Sequence, residues 1–153
     1  MLTLLRAKWG AIVLIFSRQR MVNPRKAYPI DPGLIPIYEK TGRANLGHAL
    51  ETAVHIELLR RGGEVHYFRT PHGYGIDFHA TAADGTTSLI QVCADASEPG
   101  TLTREIRSLL DAPDDGRIDQ KVLILLEPLP SGSPIPKGVE IIPAIEWFLQ
   151  SPE

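Results

Sequence analysis

Four residues carry side chains able to do chemistry at spacings that could bring them together. Glu51 lies on a helical stretch, one turn from His48 and one from His55. Asp77 interrupts the apolar residues of Gly75-Ile76-Asp77-Phe78-His79, and Gln91 and Cys93 alternate with Ile90 and Val92. In extended chain, successive side chains point to opposite faces. Ile76 and Phe78 are therefore expected on one face, with Asp77 and His79 on the other. Ile90 and Val92 likewise share one face, and Leu89, Gln91 and Cys93 the other. If the two stretches pair in a hairpin, Asp77, Gln91 and Cys93 converge. A helix Glu51 facing a strand Asp77 would be an oxygen site for a divalent cation. Aspartate is depleted from strands, so Asp77 calls for a reason beyond packing. Blander readings stand beside these: Glu51 as a solvated helix residue, Gln91 as a partly buried amide, Cys93 as a small buried hydrophobe.

The elements that must position these residues are legible from period and punctuation. Between Ala44 and Arg61, Leu46, Leu50, Val54 and Leu58 recur at four-residue steps, and Ala49, Ala53 and Ile56 widen the stripe, so a helix is expected. Gly62-Gly63 ends it, with Arg60 and Arg61 at the negative end of the helix dipole. The rhythm then turns to period two: Glu64–Arg69, Tyr74–Ala80 and Ser88–Ala94 read as strands, with Ala83-Asp84-Gly85-Thr86 as a hairpin turn. Thr101–Asp111 reads as a helix with Leu102, Ile106, Leu109 and Leu110 on one side. Lys121–Leu126 is continuously apolar after its first residue, the pattern of a central strand covered on both faces. A strand at Val139–Ile142 and a helix at Ala144–Gln150 close the chain. The order α-β-β-β-α-β, with a further strand and helix, implies an α/β fold with a mixed central sheet flanked by helices.

Composition narrows the classes of function. At 153 residues one domain is expected, and 43% hydrophobic with 22% charged residues excludes wholesale disorder. A net charge of -2 supplies no global field toward nucleic acid, so such binding needs a local patch. Arg18, Arg20, Arg25 and Lys26 are the candidates for one. A single cysteine excludes an internal disulfide and a cysteine-rich zinc site, and suits a reducing cytoplasm. The apolar run Trp9–Phe16 is shorter than the ~20 residues a membrane helix needs and lacks a following cleavage site. Residues 1–22 thus read as a strand-like extension, consistent with the cut end of a longer protein, and residues 23–153 as the domain.

The helix acid, the strand acid and their order resemble the PD-(D/E)XK nuclease superfamily, the restriction-endonuclease-like fold. The resemblance assigns Glu51 as the helix acid and Asp77 as the strand acid. Gln91 falls where the superfamily has its second acid, and Cys93 where it has its lysine. It implies catalytic positions Glu51, Asp77, Gln91 and Cys93, and Mg²⁺ or Mn²⁺ held by Glu51, Asp77 and Gln91. The last two positions are departures. An amide oxygen can coordinate a hard cation but brings no charge, and a thiol cannot replace an ammonium. Lys121, Arg104 and Arg107 are possible substitutes for the lysine.

A narrower resemblance accounts for the departure. Residues 23–34 (Asn-Pro-Arg-Lys-Ala-Tyr-Pro-Ile-Asp-Pro-Gly-Leu), Gly47–Glu51, Glu57–Gly62, Gly75–Phe78 and Leu89–Asp95 together look like an uncharacterised prokaryotic family of AAA-type ATPases with a C-terminal nuclease-like domain. No Gly-x-x-x-x-Gly-Lys-Ser/Thr occurs, so this chain carries no nucleotide site of that kind. Three functions follow as expectations. The first is a degenerate nuclease-fold module that binds nucleic acid or docks onto an ATPase module or partner protein. The second is an active Mg²⁺- or Mn²⁺-dependent nuclease using Glu51 and Asp77. The third is a truncated remnant of a longer ATPase.

Overall fold

The computed structural model describes residues 12–13, 28–29, 31, 46–97, 99–129, 132 and 135–150. Two short strands, β1 (Ile12–Val13) and β2 (Tyr28–Pro29), pair antiparallel with each other. Helix α1 (Leu46–Arg60) is followed by strands β3 (Glu64–Arg69), β4 (Gly75–Thr81) and β5 (Thr87–Cys93). Helix α2 (Pro99–Leu110), strands β6 (Gln120–Leu125) and β7 (Glu140–Pro143), and helix α3 (Ala144–Leu149) complete the order. Strands β3 to β7 form one five-stranded sheet in sequence order. The β3–β4 and β4–β5 pairs are antiparallel, and β5–β6 and β6–β7 are parallel. The chain is an α/β protein with a mixed sheet flanked by helices, as the sequence implies.

Two cores lie on the two faces of the sheet. On one, Leu50, Val54 and Leu58 of α1 and Trp147 of α3 pack over Phe78, Ala80, Ile90, Val122 and Ile124. On the other, Leu109 of α2 packs with Ile76, Leu89, Cys93, Leu123 and Leu125. Strand β6 supplies both cores, which explains its unbroken apolar run. Helix α1 ends at Gly62, whose φ of 78° is open to glycine without strain, while the Gly63 amide donates to the Leu58 carbonyl at 3.0 Å. Glu57 holds Arg60 and Arg61 together, and those hydrogen bonds keep its carboxyl down at about 2. Arg61 also donates to the Trp147 carbonyl at 2.8 Å and lies 4.3 Å over that ring, joining α1 to α3.

Two sequence expectations are corrected. Ile76 and Phe78 do not share a face: Ile76 belongs to the α2 core and Phe78 to the α1 core. The cause is a bulge in β4. From His66 to Phe68 the register advances two residues on β3, while its partners run three residues, from His79 to Ile76. Asp77 and Phe78 thus oppose Tyr67 alone, and alternation inverts beyond them. The second correction concerns helix faces. Leu46 and Leu110 are 58% and 47% exposed, whereas Thr52, His55 and Glu105 are buried. Thr52 satisfies its hydroxyl on the His48 carbonyl at 2.7 Å. No helix among the described residues is long and apolar enough to cross a membrane.

Candidate functional site

The β4 bulge is where the proposed site residues meet. The β4–β5 ladder pairs Phe78 with Ile90 and goes no further toward the bulge. Past that point side chains replace backbone partners. The Asp77 amide donates to Gln91 Oε1 at 3.2 Å, and the Val92 amide donates to Asp77 Oδ2 at 3.1 Å. Each side chain satisfies a main-chain group that the bulge would otherwise orphan. Asp77 and Gln91 are therefore brought together as expected, in a structural bond.

Gln91 is 6% exposed and turned to the α2 face. Its Nε2 donates to Glu105 Oε2 at 2.6 Å, so both ends of the amide are engaged. Glu105 in turn receives Arg104, from Nη2 at 2.6 Å and Nε at 3.1 Å. A chain of contacts thus runs from the exposed Arg104 guanidinium through Glu105 and Gln91 to the bulge. Cys93 lies on the same face, buried at 4%, with Sγ donating to the Asp95 carbonyl at 3.2 Å. Burial first, and then the Glu105 charge, push its thiol above the usual value, so it stays protonated.

Glu51 stands on the other side of the sheet, on α1. Its Oε1 accepts the Tyr28 hydroxyl at 2.6 Å. The Tyr28 ring is 7% exposed and stacks on His55, with centroids 4.3 Å apart and planes 25° apart, and reaches Phe78 at 5.9 Å. Burial, then the Glu51 charge and bond, then Asp77 and Tyr67, raise the phenol far above its ordinary range. Both proposed acids thus act on one hydroxyl. A side chain at Gly75 would collide with the Tyr67 hydroxyl, so glycine keeps this end of the sheet compact. His55 is 2% exposed, and neither ring nitrogen has a hydrogen-bond partner. Burial lowers its pKa, partly offset by Glu51.

The four sequence candidates therefore divide. Glu51 lies over the α1 face, Gln91 and Cys93 over the α2 face, and Asp77 in the bulge between them. Two carboxylates suit a hard cation, and Glu51 and Asp77 would be the residues to hold one. Gln91 does not fit as their third ligand, because its oxygen is turned to the Asp77 amide and its nitrogen to Glu105. Among the described residues, no three of His, Cys, Asp and Glu gather as a metal-binding group. Of the possible lysine substitutes, Lys121 is tied to the Ala112 carbonyl at 3.0 Å and Arg107 lies 4.7 Å over Tyr74. Only the charge of Arg104 is felt at both Cys93 and Asp77. A Cys93–His79 pair does not form, since His79 lies opposite Leu89, four residues from Cys93 along β5. Arg18, Arg20, Arg25 and Lys26 lie outside the described residues.

Two site residues escape sequence reading. Glu105 sits three residues after Leu102 and four before Leu109, so its position in the apolar stripe marks a buried acid in need of a partner. Tyr28 reaches Glu51 across 23 residues, and no local signal announces that contact. No protein-family profile, curated protein or solved structure matches this chain.

Proposed function

We propose that this chain is a degenerate domain of the PD-(D/E)XK fold, acting as a nucleic-acid-binding or partner-docking module of an ATPase system. One observation carries the reading: Gln91, where the resemblance calls for a second acid, spends its amide on the Asp77 backbone and on Glu105. Its role is to close the bulge and anchor α2. Cys93 adds to this, being buried and protonated where a lysine would be needed. A working nuclease of Mg²⁺ or Mn²⁺ is the second reading. It is favoured by the convergence of Glu51 and Asp77 on the Tyr28 hydroxyl, which keeps an acid pair at the sheet's end.

Two assays separate them. Fluorescence anisotropy with labelled single- and double-stranded DNA and RNA measures binding, and supercoiled plasmid with Mn²⁺ or Mg²⁺ measures nicking. The module reading expects no nicking above that of Asp77→Ala, together with binding of a nucleic acid or of an ATPase partner. Nicking that disappears in Asp77→Ala overturns it and establishes the nuclease.

A further inference from the structure

The geometry points to Tyr28 as a built-in plug: its hydroxyl occupies the place between Glu51 and Asp77 that a hard divalent cation would take. It must withdraw before such a cation binds. This rests on the reading of Glu51 and Asp77 as the surviving acids of a nuclease-type site, and adds how that site is regulated.

Three features build the plug. The phenol bonds Glu51 at 2.6 Å, and the Asp77 charge reaches the same hydroxyl. A charge-assisted bond of this kind competes directly with a cation for the carboxylate oxygen. The ring is aligned by stacking on His55 at 4.3 Å and by Phe78 at 5.9 Å, so the hydroxyl arrives in one orientation. Beneath the ring, His55 is 2% exposed with both nitrogens unpartnered, although Glu51 lies one turn away. A buried imidazole with neither nitrogen satisfied is costly. Replacing the phenol by a hydrated cation would bring water within reach of it.

The plug also sits on an element suited to leaving. Strand β2 is two residues long and pairs only with the two residues of β1 among the described strands. So short a ladder offers little resistance to withdrawal. The Tyr28 ring, rather than the strand's own pairing, holds the segment against α1.

The test is Mn²⁺ binding by isothermal titration to the wild type, Tyr28→Phe and Tyr28→Phe/Asp77→Ala. Phenylalanine keeps the stack on His55 and removes only the hydroxyl, and circular dichroism checks the fold. Tyr28→Phe should bind Mn²⁺ about ten- to hundredfold more tightly than the wild type, the scale of one hydrogen bond to a charged group. The double variant should lose that gain. Unchanged or weaker binding by folded Tyr28→Phe overturns the plug, the weaker case making Tyr28 a support for Glu51. A second measurement needs no variant: saturating Mn²⁺ should alter the near-UV dichroism of the wild-type tyrosines, and an unaltered spectrum at saturation overturns the proposal. If neither protein binds metal while labelled nucleic acid binds the wild type, the plug falls and the module reading stands. If Tyr28→Phe gains both metal and plasmid nicking, the plug stands and the module reading falls.

Discussion

Restoring the acid that the nuclease resemblance calls for should damage this protein. In Gln91→Glu the introduced carboxylate would face Glu105, whose Oε2 now accepts from the Gln91 amide at 2.6 Å. Two ionised carboxylates at that range repel by ~4 kcal/mol at the dielectric typical of proteins, and a hydrogen bond worth ~2 kcal/mol is lost as well. The pair can escape by keeping one shared proton. Holding a proton on a glutamate costs about 1.4 kcal/mol for each pH unit above ~4.3, hence ~1 kcal/mol at pH 5 and ~5 kcal/mol at pH 8. The folded pair has a raised affinity for protons, so its stability is present at low pH and lost as pH rises. Gln91→Glu should therefore cost ~1 kcal/mol at pH 5 and ~4–6 kcal/mol at pH 8, relative to the wild type at the same pH. Urea unfolding at the two pH values measures this. The swap Gln91→Glu/Glu105→Gln restores one amide against one acid and should recover most of the loss, since the Arg104 side chain is 65% exposed and its pairing contributes little. A single variant as stable as the wild type at pH 8, or a swap as unstable as the single variant, would refute the assignment of Gln91 as Glu105's partner.

Other consequences follow from the same contacts. His55 has a lowered folded pKa, so its contribution is intact above the unfolded value of ~6.5 and is lost as pH falls below it, by up to ~1.4 kcal/mol per unit. His55→Leu should flatten the fall in melting temperature between pH 7 and pH 5, and an unchanged profile would count against it. Arg61→Ala removes both the bond to the Trp147 carbonyl and the stacking over its ring, and should cost ~1–2 kcal/mol in urea unfolding. Cys93, 4% exposed, should react with a thiol reagent far more slowly in the native protein than in urea, and equal rates would contradict its burial.

What sequence reading reached, and what it missed, has physical reasons. Strand β3 matches its expected limits, Glu64–Arg69, and β6 and α3 match within one residue, because period and punctuation are local signals. The pairing of Asp77 with Gln91 was also accessible, since adjacent antiparallel strands with a short turn fix their neighbours. The bulge was not. Ile76 and Phe78 read as unbroken alternation, and a bulge is set by strand pairing rather than by residue type. Alternation alone therefore put Ile76 on the wrong face. Glu105 was visible in principle as an acid in an apolar stripe, whereas Tyr28 joins Glu51 through tertiary folding alone.

The sheet also divides by how far apart in the chain its partners lie. Strands β3, β4 and β5 form a meander, joined by turns at residues 70–74 and 82–86. Strands β5, β6 and β7 are parallel, and β5 reaches β6 only after the chain has travelled through α2. Closing those longer loops costs more entropy before any contact repays it. Assembly is thus expected to begin with the meander, which creates the template edge of β5 on which the parallel half is laid. The bulge lies within that early half, so its side-chain bonds form before α2 docks. Glu105 then arrives last, closing a polar seam that β4 and β5 have already set out.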